Sequence, residues 1–382
     1  MGRDTLSAVA YRSVETRVKK EGGSATRKAE QRIREGAGLN PLVDPKSYGA
    51  IRRSLTRMEK DGDVWISTMG LPMLLEVRFD TTSSMGDNVD LAFKALPRMY
   101  NLLSGREEAV LSRYDLQIIT SIFNDRDDEV VLCRSQAEMG IKIAEQLTMM
   151  VPVRQGGDIP EDPQYGLFGA AYLVRSNARQ FGLGTYDFTI TDAPGRDELD
   201  KKLLTRIYGD DVFDKVRENG WQISNSNLPS TEEVVKALLK EAHAFVLQVG
   251  NHSETARFWR GIYGKDRVVV LPRTELIPEV QAAIIGLTEG RLDLQSLEGY
   301  LKKEAQISAT DAKEIQRAVA GIPIGEQTKR PNFNKVFKAG AKFANKADIW
   351  PIGFKNSGDK IATGSKPEGA SGGKPGKSSM WL

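Results

Sequence analysis

The chain has 382 residues, of which 40% are hydrophobic and 27% charged, as in a globular protein with one large or two ordinary domains. No apolar run approaches the roughly 20 residues that cross a membrane, and the N-terminus lacks a basic-then-apolar signal pattern, so we expect no membrane span. A single cysteine, Cys133, excludes an internal disulfide and predicts a reducing, cytoplasmic location.

The net charge of +3 conceals a strong division along the chain. Residues 1–60 contain 14 Lys and Arg against 7 Asp and Glu, and residues 326–382 contain 11 against 4. Residues 61–325 therefore carry a net charge of −11. Basic arms of this kind favour an anionic partner, either nucleic acid or an acidic subunit in a homo-oligomer or larger assembly.

The N-terminal residues 1–70 are predicted to form a basic helical arm. One or two polar helices are expected within residues 3–35, with a break at Gly22-Gly23. A further short helix is expected at 51–60.

From residue 71 to about residue 290, strand-like and helix-like segments alternate. The strand-like segments are 73–79, 114–123, 129–133, 184–191, 243–249 and 267–271. The helix-like segments are 85–104, 136–149, 163–179, 197–206, 209–219, 231–241, 254–262 and 274–287. Ser230 and Glu233 have the spacing of a capping box. The alternation predicts an α/β fold, a doubly wound and mainly parallel sheet with helical N- and C-terminal extensions.

The turn after the first of these strands, residues 80–86, contains an oxygen-rich sequence, Asp-Thr-Thr-Ser-Ser-Met-Gly. Asp80, Thr82 and Ser84 supply one carboxylate and two hydroxyls at alternate positions. Such a set suits a hard cation, Mg²⁺ or Mn²⁺. The carboxyl end of a strand in an open α/β sheet is also where these folds bind ligands.

Two later segments are expected to meet this turn at the same edge of the sheet. Residues 156–162, Gly-Gly-Asp-Ile-Pro-Glu-Asp, form a glycine-rich loop before a helix and include Asp158. Residues 190–195, Ile-Thr-Asp-Ala-Pro-Gly, end a strand with Asp192. Carboxyl ends of parallel strands lie on one edge, so these loops can converge with residues 80–86.

The three segments together resemble the von Willebrand factor A (VWA) domain family over residues 71–290. The metal-ion-dependent adhesion site (MIDAS) of that family has a D-x-[ST]-x-S loop, which Asp80, Thr82 and Ser84 match, then a Thr or Asp, matched by Asp158, and an Asp after the fourth strand, matched by Asp192. The resemblance implies a Mg²⁺ or Mn²⁺ site that holds a protein partner through the partner's Glu or Asp.

Two other interpretations remain open at this stage. The three aspartates can be ordinary turn and cap residues, for which Asp is a common choice. The chain can also be a structural or assembly subunit, with the VWA domain as scaffold and the basic arms as contacts. No nucleophile–base pair or nucleotide loop is apparent in the sequence, so we do not expect an enzyme.

Polar side chains interrupt two strands that a VWA-like order makes neighbours. Glu76 and Arg78 share one face of the first strand, and Asp187 and Thr189 share one face of the other. A buried charge must be paired, so this face contains either a covered ionic network or an exposed polar surface.

The C-terminal part is predicted to be helical at first and then basic. Residues 291–325 form a helical extension with two amphipathic helices, and residues 326–382 form a basic, partly flexible tail. Within the tail, 333–346 is predicted to be a basic helix and 356–380 to be flexible unless a partner orders it. The aromatic residues expected to dock that helix are Phe333, Phe337 and Phe343.

Overall fold

The computed structural model of the protein describes residues 6–154, 159–224 and 226–345, with residue 349 and the backbone of residues 380 and 381 in addition. The strands are β1 (Arg52–Ser54), β2 (Arg57–Asp61), β3 (Val64–Ser67), β4 (Pro72–Asp80), β5 (Asp115–Phe123), β6 (Leu132–Arg134), β7 (Val174–Ser176), β8 (Thr185–Thr191), β9 (Ala242–Gln248), β10 (Val268–Val270), β11 (Lys342–Phe343) and β12 (Met380–Trp381).

Helices precede, separate and follow these strands. The α-helices are α1 (Ala8–Lys20), α2 (Arg27–Arg34), α3 (Asn88–Tyr100), α4 (Ile141–Leu147), α5 (Gln164–Tyr172), α6 (Asn177–Gln180), α7 (Lys201–Tyr208), α8 (Val212–Glu218), α9 (Thr231–Glu241), α10 (Ser253–Tyr263), α11 (Ile277–Thr288), α12 (Leu294–Tyr300) and α13 (Ala309–Ala318). The capping box of Ser230 and Glu233 begins α9, as predicted. No described helix is long and apolar enough to span a membrane.

The central sheet has six strands in the order β10-β9-β8-β4-β5-β6. Every neighbouring pair is parallel except β5 and β6, which are antiparallel. One face packs against α3, α4 and α11, and the opposite face packs against α5, α9 and α10. The predicted doubly wound α/β fold is therefore confirmed, and so is the parallel contact between the strands predicted at 73–79 and 184–191.

The polar face shared by β4 and β8 is a covered ionic network. The Arg78 guanidinium donates to both carboxylate oxygens of Asp187, at 3.2 and 3.1 Å, and to Oε1 of Glu76 at 3.3 Å. Arg134 donates to both oxygens of Glu76, at 2.9 and 2.8 Å. None of these four side chains is more than 3% exposed. Of the two alternatives that the sequence left open, the covered network is confirmed.

A glycine lets α5 close over this network. The carbonyl oxygen of Gly166 accepts a hydrogen bond from Arg78 Nη2 at 3.3 Å. A Cβ atom at position 166 would lie 2.4 Å from Arg78 Nε, closer than any ordinary contact. The helix can therefore approach the guanidinium only where it lacks a side chain.

The prediction of a helical arm over residues 1–70 is wrong for its second half. Helices α1 and α2 lie there, but the helix expected at 51–60 is replaced by β1 and β2, and Gly62 (φ +59°) forms the turn to β3. Arg52 explains the extended backbone, because its buried guanidinium donates to the carbonyl oxygens of Arg134 and Ser135, which are far away in sequence. β1 pairs with β7, so the helix predicted at 163–179 also ends early.

The C-terminal segment docks, but not as the helix predicted at 333–346. It forms a 3₁₀ turn at Phe333–Lys335, passes through Gly340 (φ +88°) and pairs β11 with β3. A left-handed residue between the two elements is incompatible with a continuous helix. The ring of Phe337 packs 6.0 Å from that of Phe181 and 5.3 Å from that of Phe343, so the expected aromatic docking is confirmed. The flexible stretch predicted at 356–380 lies, except for residue 380, outside the described residues.

We expect Phe337→Ala to lower the free energy of unfolding by about 2 kcal/mol, because it deletes a half-buried ring between two others. Lys338→Ala, at the exposed neighbouring position, should change it by less than about 0.5 kcal/mol. Urea denaturation of both variants measures the difference. Equal stability of the two would show that the segment does not dock through its aromatic residues.

A buried carboxyl group sits beneath the amino-terminal end of the sheet. Glu289 Oε1 accepts from Tyr186 Oη at 2.8 Å and Oε2 from Tyr114 Oη at 3.2 Å. Burial raises the pKa of Glu289 to about 7, although the two tyrosine hydrogen bonds act to lower it. The folded state therefore binds more protons than the unfolded chain between about pH 4.3 and pH 7.

This carboxyl group should make stability depend on pH. Since the folded state holds the extra proton, the contribution of Glu289 falls as pH rises from about 4.3 to 7, by at most about 1.4 kcal/mol per pH unit. Glu289→Gln should flatten this part of the stability curve, and Glu59→Gln, at an exposed position of β2, should not. Denaturation at half-unit pH steps compares the slopes; an unchanged slope in Glu289→Gln would contradict the assignment.

Candidate functional site

Asp80 occupies the last position of β4 and is fully buried. Its Oδ1 accepts hydrogen bonds from Thr82 N at 3.0 Å and Thr82 Oγ1 at 2.8 Å. Its Oδ2 accepts one from Thr191 Oγ1, the last residue of β8, at 2.7 Å. The carboxylate thus bridges the carboxyl ends of two neighbouring strands that pair in parallel.

Burial raises the pKa of Asp80 to about 6, and the nearby charge of Asp192 raises it further, while the hydrogen bonds of Thr191 and Thr82 oppose the shift. A cation beside Asp80 would favour the ionised carboxylate and reverse the shift. The ionised Asp80 carboxylate therefore lacks a full counter-charge among the described residues.

The remaining predicted ligands differ in their positions. Ser84 is exposed on the turn that follows Thr82, and Asp192 is half-exposed, near enough to Asp80 to affect its pKa. Asp158 lies outside the described residues. At β8, the structure places the hydroxyl of Thr191 against Asp80, a role that the sequence interpretation did not assign.

Glu161 is a further buried acid that the sequence interpretation quoted but did not select. Its backbone is fixed to the loop after β8, because Glu161 N donates to Pro194 O at 2.9 Å and Arg196 N donates to Glu161 O at 3.0 Å. The side chain is 3% exposed, and its Oε2 has no hydrogen-bond partner among the described residues. The described end of the 156–162 loop therefore lies against the 190–195 loop, as predicted.

The Glu161 carboxyl group belongs electrostatically to the same cluster as Asp80. Burial raises its pKa to about 9, and the charge of Asp80 and a hydrogen bond with Asp125 add to the shift. A hydrogen bond with Thr82 acts in the opposite direction. Nothing in the local sequence marks Glu161 as buried, since its partners are Asp80, at the end of β4, and Asp125, in the loop after β5.

An ion-pair cluster holds the loop that contains Glu161. The next residue, Asp162, is fully buried, and its Oδ1 lies 3.1 Å from Arg126 Nη2 and 3.3 Å from Arg196 Nε. Gln164 Nε2 donates to the same oxygen at 2.7 Å. Asp162 is thus neutralised by two arginines, whereas Asp80 and Glu161 face hydroxyls and other acids.

Arg154 connects this region to the N-terminal helices. Its backbone N donates to Thr81 O at 3.2 Å, and its guanidinium pairs with Asp87 at 2.7 Å and Asp90 at 2.8 Å. The same guanidinium lies 3.5 Å from Glu30 of α2. Arg154 therefore joins the turn after β4, the start of α3 and helix α2.

The donors collected at this edge are all oxygen atoms. Among residues 6–154, 159–224 and 226–345, no three His, Cys, Asp or Glu side chains form a group that could hold a metal ion. The described part of the site offers the Asp80 carboxylate, the hydroxyls of Thr82 and Thr191 that donate to it, and Oε2 of Glu161, which has no hydrogen-bond partner among the described residues. Such a set suits a hard cation and no soft one.

Comparison with known proteins adds a distant likeness to solved structures. No protein-family model matches the sequence, and no curated protein matches it. Proximal thread matrix protein 1 of the mussel byssus is 12% identical with a TM-score of 0.35, over 59% of this chain and 47% of that one. The pilus adhesin SpaC of Lactobacillus rhamnosus GG is 14% identical with a TM-score of 0.38, over 61% and 34%. The chain thus spans about half of the mussel protein and a third of the adhesin.

Proposed function

We propose that this chain contains a VWA-type domain that binds Mg²⁺ or Mn²⁺ at a MIDAS-type site and uses it to hold a protein partner. The proposed ligands are Asp80, Thr82, Ser84, Asp158 and Asp192. The observation that carries the proposal is the buried oxygen cluster at the carboxyl ends of β4 and β8, in which Asp80 lies between two threonine hydroxyls.

The chemistry of the donors supports a hard divalent cation. Thr82 and Ser84 are neutral, so an ion that they ligate stays electrophilic and can accept a carboxylate from a partner. The raised pKa of Asp80 supports the same conclusion, because a buried carboxylate with too little positive charge around it is stabilised by a cation. The unpartnered Oε2 of Glu161 provides a further acceptor for water or metal at the same edge.

A pull-down from the native source with Mn²⁺ or with EDTA tests this function. We expect partners that are retained with metal, lost with EDTA and lost in Asp80→Ala. Ser83→Ala is the matched control, because Ser83 is an exposed serine of the same turn but lies outside the D-x-T-x-S pattern. Partners that remain bound in EDTA and still bind the Asp80→Ala variant would overturn the proposal.

The alternative is an assembly subunit that binds through its basic segments. It is favoured by the exposed cations of α1 and α2, since Arg12, Arg17, Lys20, Arg32 and Arg34 are all exposed. Contacts between exposed charges weaken as the salt concentration rises and are not affected by chelators. A partner that is released at 0.5 M salt and not by EDTA would favour this alternative.

A further inference from the structure

A cavity of about 230 Å³ lies between the sheet and the helices on one of its faces, apart from the cluster around Asp80. Its walls come from β4, β5, α3, α4 and α11 and are mostly apolar. The apolar side chains of these walls include Leu91, Ala95, Met99, Ile143, Leu147 and Ile277, and the charged residues Lys94, Arg98 and Glu275 also line the cavity. A void of this size exceeds the roughly 150 Å³ of an engineered apolar cavity that binds benzene.

One lining residue conflicts with this apolar setting. Gln281 of α11 is fully buried, and neither its Oε1 nor its Nε2 has a hydrogen-bond partner among the described residues. An amide left without partners in a protein interior destabilises the folded state. A molecule with one acceptor and one donor, side by side, would satisfy both atoms at once.

We propose that this cavity is the binding site of a small apolar molecule that carries an amide or lactam edge. The apolar body fills the space between α3 and α11, and the amide edge pairs with Gln281. A carboxylate fits less well, because it offers no donor and leaves Gln281 Oε1 unpaired. The two cations at the cavity do not change this, since Lys94 is exposed and Arg98 is paired with Glu279. A single water molecule would pair with Gln281 but leave the apolar part of the cavity empty.

Two probes of the same shape distinguish hydrogen bonding to Gln281 from simple filling of the cavity. Phenylacetamide carries the amide edge, and isobutylbenzene has an isopropyl group in its place. Each is titrated into the full chain while the backbone amide signals of Ala92 and Ala95, both at the cavity, are followed. We expect both probes to shift these signals in the wild-type protein.

The decisive result is how one substitution changes the two affinities. Gln281→Met keeps the shape of the side chain and removes its hydrogen bonds, so we expect phenylacetamide to bind at least about tenfold more weakly and isobutylbenzene not to lose affinity. Gln281→Leu should give the same pattern. Gln295→Leu, at an exposed position of α12, should change neither affinity.

Two outcomes would overturn the proposal. In one, neither probe shifts the signals of Ala92 and Ala95 in the wild-type protein. In the other, Gln281→Met changes both affinities by the same factor, which would make the cavity a packing defect without an amide-selective site. Ala95→Phe, which fills the space from α3, should abolish binding of both probes, and retained binding would place them elsewhere.

Discussion

Replacing Arg78 by methionine is expected to lower the free energy of unfolding by about 3–5 kcal/mol. Arg78 contacts Asp187 through two hydrogen bonds, and neither side chain is more than 2% exposed. Without the guanidinium, the Asp187 carboxylate stays buried without its closest counter-charge. Urea denaturation at pH 7 measures the loss.

The double variant Arg78→Met/Asp187→Leu distinguishes a lost pair from lost packing. It removes both charges and leaves Glu76 paired with Arg134, so we expect most of the lost stability to return. Lys236→Ala breaks an exposed pair with Glu232 and should leave stability almost unchanged. If the double variant is less stable than Arg78→Met, the network does not act through charge pairing.

The same network sets the geometry of the candidate site. Arg78 Nη1 donates to Thr189 Oγ1 at 2.8 Å, and these residues are register partners on β4 and β8. Two positions further along the strands, Thr191 donates to Asp80 at 2.7 Å. A slip between β4 and β8 would separate both pairs, so the polar strand face couples the stability of the sheet to the alignment of the site.

The sequence predicted those parts of the fold that depend on local pattern. Apolar residues, continuous in β9 and interrupted by polar ones in β4 and β8, mark these three strands, and a capping box marks the start of α9. The parallel order of the strands follows from the alternation of strands and helices. Residues 51–60 were misassigned because Arg52 donates hydrogen bonds to the carbonyl oxygens of Arg134 and Ser135, which lie far away in sequence. Local propensity carries no information about such contacts.

At the candidate site, the sequence could predict the proximity only of residues that are close together in the chain. Asp80 ends β4, Thr82 follows it and the two share a motif, so their proximity could be predicted from spacing, and the structure places them within hydrogen-bond distance. Glu161 and Thr191 could not, because their roles depend on three loops meeting. Burial and mutual repulsion, which identify Glu161 as part of the cluster, exist only in the folded chain.

Addition of Mg²⁺ or Mn²⁺ is expected to raise the melting temperature if the cluster at Asp80 binds metal. A ligand that binds only the folded state stabilises it by about 2.7 kcal/mol at one hundred times its dissociation constant. Asp80→Ala should abolish this response, and Asp80→Asn should do so while keeping the shape of the buried side chain. Ser84→Ala should weaken the response, because it removes one neutral oxygen.

The controls for this experiment come from the same edge of the sheet. Ser83→Ala should keep the full metal response, since Ser83 is outside the motif. Glu161→Gln keeps a buried polar side chain but removes the acid that lies close to Asp80, so we expect weaker metal binding without loss of the fold. No heat in calorimetry with millimolar Mg²⁺ or Mn²⁺, or an equal melting response in Asp80→Asn, would leave Asp80 as a turn residue. In that case the raised pKa of Asp80 would reflect burial alone, and the basic segments would become the binding surface to test.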